Sequence, residues 1–120
     1  MTDFITMAHG NGGATMQELI RDYFIEAFDN SILSQGEDQA RIALQELNAL
    51  GGTLSFSTDS FVIDPIFFPG GDIGKLAVCG TANDVAVCGA VPKYLSCGFI
   101  LEEGLPLETL KKLIQSMAKA

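Results

Sequence analysis

Three aspartates stand where the surrounding sequence gives a carboxylate little reason to be. Asp59 interrupts a strand-like apolar run in Ser57-Thr58-Asp59-Ser60, and Asp72 sits in Gly70-Gly71-Asp72-Ile73-Gly74-Lys75. Asp84 lies inside the apolar stretch from Ile73 to Cys88, where an unpaired carboxylate costs several kcal/mol if the helix is buried. At about 100° per residue, Ala77, Thr81, Asp84 and Cys88 share one helical face, and its small residues leave room for a bulky group beside the carboxylate. A divalent cation accounts for this economically. Hard carboxylate oxygens converge on Mg²⁺, and substrate phosphates complete its octahedron. The alternative, in which each aspartate is a cap or turn residue, stays open at all three positions.

A second candidate is His9-Gly10-Asn11-Gly12-Gly13, just before a helix start. Glycines let backbone N–H groups approach an anion, and a helix N-terminus adds positive partial charge. No Gly-Lys-Ser/Thr follows at the spacing of a Walker A loop. His9, with no partner Ser or Cys motif, reads as a loop hydrogen-bonder before it reads as a catalyst. Cys79, Cys88 and Cys97 are odd in number and contain no CxxC pair, so neither a disulfide framework nor a zinc ribbon is indicated. Their apolar neighbours make them small core residues with suppressed thiolates. Phe67-Phe68, ahead of Pro69-Gly70-Gly71, reads as a buried anchor under a turn in preference to a nucleobase platform.

The elements that must position these residues follow from periodicity. Met16, Leu19, Ile20, Tyr23, Phe24, Ala27 and Phe28 recur at helical intervals and predict a helix over 16–28, with Thr15 and Glu18 at capping-box spacing. Residues 38–50 suit either a helix or a short strand at Arg41-Ile42-Ala43-Leu44. Over 53–58, Leu54 and Phe56 alternate with Ser55 and Ser57 as a half-buried strand, continued by Phe61-Val62-Ile63. Residues 73–88 are apolar on every face and predict a helix buried all round, started by Asp72 and stopped by Gly89. A strand is expected over 95–101. A last helix follows Pro106, with Leu107, Leu110, Leu113, Ile114 and Met117 on one face.

Composition narrows the function further. A chain of 120 residues leaves room for one domain, and 48% hydrophobic against 18% charged residues excludes a disordered tail. A net charge of −8 opposes nucleic-acid binding, which relies on Lys and Arg against phosphate, and opposes an anionic membrane surface. No signal peptide opens the chain, and no window reaches the ~20 apolar residues of a membrane span. A cytoplasmic protein is expected. The final helix has an apolar face to cover and no C-cap, as in one domain of a longer protein.

These motifs together resemble a known family. Ala8–Gly13, Thr58–Pro65, Phe67–Thr81, Asn83-Asp84 and Tyr94–Gly104 are similar to the N-terminal domain of the hydrogenase maturation carbamoyl dehydratases, within the aminoimidazole ribonucleotide synthetase-like superfamily. The resemblance implies an α/β (α+β) domain over residues 1–120, with a four-stranded mixed sheet, helices on one face, and pairing as a barrel-like dimer. It implies ATP and Mg²⁺ as cofactors. Asp38, Asp59, Asp72 and Asp84 become metal ligands. His9, Gly10, Asn11, Gly12, Gly13, Asp59, Asp72, Lys75 and Asn83 become nucleotide contacts, and Asp84 and Lys75 carry catalysis. Asn11 stands where the family usually has Ser.

The implied reaction is ATP-dependent dehydration of a C-terminal cysteine S-carboxamide to a thiocyanate, for the cyanide ligands of nickel–iron hydrogenase. Implied partners are a second copy, the maturation carbamoyltransferase and the iron–cyanide scaffold complex. The family's C-terminal domain and terminal cysteine do not occur by Ala120, so this chain alone is not expected to complete the reaction. Two rival readings are a dimerisation module with negligible nucleotide affinity and another ATP-dependent superfamily member, a small-molecule kinase or synthetase.

Overall fold

Helices at the two ends of the chain build the core. The computed structural model describes residues 3–48 and 51–120. The apolar repeat near the N-terminus forms one helical rod: α1 (Ala14–Leu19), a π-helical turn (Ile20–Ile25) and α2 (Glu26–Phe28). Its N-cap is Gly13, two residues before the expected Thr15, and no side chain caps it. Asn11 instead organises the entry, its Oδ1 accepting from the Gly13 N–H at 2.9 Å. Asn30 ends the rod by accepting from the Ile32 and Leu33 N–H groups, each at 3.0 Å. The ambiguous stretch 38–50 is helical where described, as α3 (Leu44–Asn48), and its last two residues lie outside the described ones.

The helix α5 (Leu107–Lys119) buries Leu110, Leu113, Ile114 and Met117, the face its periodicity marked out. Leu110 and Ile114 meet Ile5 and Leu19, with Tyr23, Phe24, Ala27, Phe28 and Leu107 packed around them. Phe24 also meets the Phe99 ring edge-on at 4.8 Å between centroids. The first residues are clasped onto the α5 entry. Ile5 N–H donates to Leu105 O at 2.7 Å, Gly104 N–H to Ile5 O at 2.8 Å, and Leu107 N–H to Asp3 O at 2.9 Å.

The central helix α4 (Ile73–Ala86) begins at Asp72, whose side chain accepts from the Lys75 N–H at 2.8 Å. It ends at Ala86 with Val87 as C-cap, two residues short of the expected 73–88, and Gly89, with a φ of 86°, lies in the turn that follows. Ahead of it, β1 (Phe67–Phe68) and β2 (Gly71–Asp72) pair antiparallel, Phe67 opposite Asp72 and Phe68 opposite Gly71. Against α5, α4 approaches so closely that a Cβ on Gly74 would lie 2.8 Å from Leu113 O and 2.7 Å from Met117 Cγ.

Four expectations are corrected. Among the described residues the sheet has two short strands, not four, and 53–58, 61–63 and 95–101 join no ladder. Alternation marks the two faces of a strand, but a ladder needs a neighbouring strand, and 55–61 lies against α4, whose backbone groups are already paired. The facing is also inverted: Ser55, Ser57, Phe61 and Ile63 are half-buried while Leu54, Phe56 (83% exposed) and Val62 (100%) point outward. The helix α4 is not buried all round; Gly74 alone is fully buried, most of the other residues are half-buried, and Lys75, Cys79, Asn83, Asp84 and Ala86 are exposed. Cys79, Cys88 and Cys97 are exposed, as is Phe67, while Phe68 is half-buried. The resulting surface is large: 8,860 Å², against about 6,300 Å² for a folded monomer of 12.8 kDa.

Candidate functional site

One stripe of α4 organises the central carboxylates. Gly80 and Asp84 lie four residues apart on one face of α4, and Cys88 lies in the turn that follows the helix. Two of the three touch the preceding segment: a Cβ on Gly80 would lie 3.0 Å from Phe61 Cζ, and Cys88 Sγ is 3.2 Å from Ser55 Oγ. These contacts run in opposite chain order, so the segment passes antiparallel along the helix, with Asp59 between the two contact points in sequence. Asp59 Oδ1 accepts from the Ser60 N–H at 2.8 Å. Among the described residues no ion pair engages Asp59 or Asp84, and both are exposed. Asp84 is therefore not the buried charge expected in an apolar helix, and its carboxylate is free for an incoming ligand.

Asp72 lies at the other end of the same helix. Twelve residues at 1.5 Å rise separate it from Asp84 by about 18 Å. One ion cannot take direct ligands from both, so the expected convergence of all the aspartates on one cation is not what the fold builds. Asp72 is buried and already accepts from the Lys75 N–H. Asp38 is exposed in a loop where its neighbour Glu37 pairs with Arg41 at 2.8 Å. Among the described residues no group of three or more His, Cys, Asp or Glu could hold a metal ion. Asp59 and Asp84 are both exposed carboxylates, of the hard oxygen type that Mg²⁺ takes one or two of while water and phosphate complete its shell.

Lys75 borders a shallow cavity of about 190 Å³ lined by Phe68, Gly70, Gly71, Leu76 and Cys79. Its Nζ donates to Gly70 O at 3.3 Å. Lys75, Cys79 and Asn83 form a second stripe of α4, beside the Asp84 stripe. The glycine loop is exposed and enters α1 through Gly13. His9 is engaged locally, as expected of a loop hydrogen-bonder, its Nδ1 accepting from the Thr6 N–H at 2.9 Å.

Sequence reading missed three contacts. The Cys88 thiol is pulled below its ordinary range, chiefly by the Ser55 hydroxyl. Tyr94 donates to Glu46, which pushes the phenol above its ordinary range. Phe61 packs on Gly80. The i, i+4 spacing of Gly80 and Asp84 was visible, but nothing in it named Phe61 or Ser55 as the contact.

Comparison with known proteins bears on this arrangement. Residues 36–120 match the family described as AIR synthase related protein, N-terminal domain. The carbamoyl dehydratase HypE of Escherichia coli K12 is 67% identical over 115 residues, covering 96% of this chain and 34% of that protein. HypE of Cupriavidus necator is 52% identical over 116 residues, covering 97% and 32%. The crystal structure of E. coli HypE, a hydrogenase maturation protein, superposes on 87% of this chain and 32% of its own, with a TM-score of 0.82 and 68% identity. A crystal structure of HypE in complex with ATP covers 94% of this chain and 32% of its own, with a TM-score of 0.86 and 54% identity. The chain thus spans about a third of the length of the relatives it matches. Its motifs, its fold and its match over 36–120 agree: the chain belongs to the AIR synthase related family, as an N-terminal domain of the kind found in HypE.

Proposed function

We propose that this chain is the ATP-binding and dimer-forming part of a cytoplasmic carbamoyl dehydratase that acts in hydrogenase maturation. The observation that carries the reading is its likeness, across 94% of its length, to a HypE structure in complex with ATP. In the proposed reaction the oxygen of a cysteine S-carboxamide takes the γ-phosphoryl group of ATP, leaving ADP. The C–O bond then breaks with phosphate as leaving group, the nitrogen gives up its two protons, and a thiocyanate remains for the hydrogenase cyanide ligands.

ATP brings about four negative charges to a chain already at −8, so carboxylates can hold it only through a cation. Asp59 and Asp84 are the residues that would hold Mg²⁺. The ion supplies charge neutralisation to the transferring phosphoryl group. Lys75 adds a positive charge beside the Gly70-Gly71 turn, and Asn83 donates hydrogen bonds next to Asp84. Asp72 fixes the first turn of α4 and so positions Lys75. The glycine loop 10–13 closes over the nucleotide, and Asp38 is a looser ligand.

Dimerisation is part of the same proposal. The outward Leu54, Phe56, Val62 and Ile100 belong to segments with no strand neighbour. A second copy supplies that neighbour, forming the barrel-like dimer. The carbamoyltransferase and the iron–cyanide scaffold complex are its further partners.

Asp84→Asn tests the reading, since it removes one charge and one hard ligand at constant size. Mg–ATP affinity is expected to fall about tenfold to a hundredfold, roughly 1.5–3 kcal/mol. Melting without ligand stays as in the parent, because Asp84 is exposed. A variant that melts lower without ligand, yet keeps the full ligand-induced shift, overturns the assignment.

A further inference from the structure

We infer that Gly74 sets the spacing between the two halves of the proposed nucleotide site, because its missing side chain lets α4 rest directly on the backbone of α5. The inference rests on the ATP reading above and concerns a residue that touches no ligand in it. In that reading the nucleotide meets the glycine loop 10–13, which leads into α1, and Lys75 and Asn83, which stand on α4. The two halves share one support. The N-terminal rod packs Leu19 on Leu110 and Ile114 of α5, and α4 packs its first turn on the same helix. How near α4 lies to α5 therefore decides how far apart the halves stand.

That nearness is fixed at Gly74, which is buried. A Cβ there would lie 2.8 Å from Leu113 O, 2.7 Å from Met117 Cγ and 3.1 Å from Asp72 Oδ1. The Leu113 oxygen is a main-chain carbonyl inside a helix, and it cannot turn aside as a side chain can. Packed heavy atoms settle at about 3.5 Å, so a methyl group here moves α4 off α5 by about half an ångström or more. The neighbouring elements move with it. Asp72 Oδ1 holds the Lys75 N–H at 2.8 Å, and Ile73 N–H donates to Ile66 O at 2.9 Å. The long Lys75 side chain can follow a retreating phosphate, but the short Asn83 side chain cannot. Gly80, on the same helix, is different: a Cβ there meets only the tip of the Phe61 ring, which can tilt away. Gly74 is a positioning residue.

The test is calorimetric titration of the chain with Mg–ATP for the parent, Gly74→Ala, Gly80→Ala, Met117→Ala and the double variant Gly74→Ala with Met117→Ala. Each is titrated where circular dichroism shows it folded, with trimethylamine oxide added to all of them if Gly74→Ala needs it. Gly74→Ala is expected to weaken binding roughly tenfold, since a misplacement of about 1 Å can cost about a hundredfold in a positioned site. Gly80→Ala binds like the parent. Met117→Ala melts lower, because it empties a buried site, yet once folded it also binds like the parent. The double variant stays weak, because the Leu113 carbonyl still meets the methyl group. A folded Gly74→Ala protein that binds like the parent overturns the inference and leaves the ATP reading intact. So does a double variant restored to the parent's affinity, which traces the loss to the Met117 side chain, or a Gly80→Ala protein weakened as much as Gly74→Ala. A parent that does not bind Mg–ATP overturns both.

Discussion

The two ends of the chain and its middle solve the problem of burial differently. The end helices, α1 and α5, face each other across Ile5, Leu19, Leu110 and Ile114, and the clasp at Leu105 ties the first residues to the last helix. Their apolar stripes are covered from within. The middle segments 53–63 and 95–101 carry equally apolar side chains, yet Phe56, Val62 and Ile100 are turned to solvent. The difference lies in what an element needs. A helix pairs its own backbone and asks only for an apolar neighbour, whereas a strand asks for another strand. The ends find their neighbour within the chain, and on the proposed reading the middle finds it in a second copy.

The sharpest way to break that contrast is to remove a side chain from each region. Leu110→Ala deletes a fully buried group from the end core and is expected to cost roughly 2–5 kcal/mol in denaturant unfolding. A cost under about 1 kcal/mol would mean that the end helices are not the stabilising unit. Phe56→Ser makes the opposite case. Loss of an exposed ring barely changes the stability of a single chain, but it weakens the proposed dimer by about 1–2 kcal/mol, roughly tenfold in dissociation constant. Light scattering at micromolar concentration should give twice 12.8 kDa for the parent and a lower mass for the variant. A parent that scatters as a single chain throughout removes the second copy from the account.

The smallest effect sits at the join between α3 and the middle. Tyr94 donates to Glu46, and this hydrogen bond holds the phenol proton to higher pH than usual. A folded pKa raised above the unfolded value gives stability that is complete below the unfolded pKa. That stability is lost as pH rises through the folded value. Ultraviolet titration should therefore show Tyr94 ionising above the ordinary phenol range in the parent, and at a lower pH in Glu46→Ala. Equal midpoints would mean that the contact does not hold the proton.

The sequence was informative where one residue or one period decides the outcome. The α5 face could be read from Leu110, Leu113, Ile114 and Met117, because a 3.6-residue stripe can bury only one way. Asp72 as the cap of α4 was equally legible, being a local backbone requirement. The strand at 53–58 was not, because alternation defines two faces without saying which turns inward, and here Ser55 and Ser57 do. The cysteines failed for a related reason. Apolar neighbours in sequence do not become neighbours in space unless something covers them: Cys79 sits on the open side of α4, Cys88 in the turn after it and Cys97 in a segment that joins no ladder. The aspartates were only partly legible: Asp59 and Asp84 are both exposed, whereas the 14-residue length of α4 separates Asp72 from Asp84.

The clasp between Ile5 and Leu105 also bears on how the chain comes to be folded. It joins positions 100 residues apart, so closing it encloses most of the described residues in one loop, an entropic cost that no local turn shares. Synthesis delivers the N-terminal helix well before α5, the helix that covers it. Until α5 has left the ribosome, Leu19, Tyr23 and Phe24 lack the cover that it provides. A nascent chain therefore carries an open apolar groove over that interval, which is the kind of surface that chaperones bind.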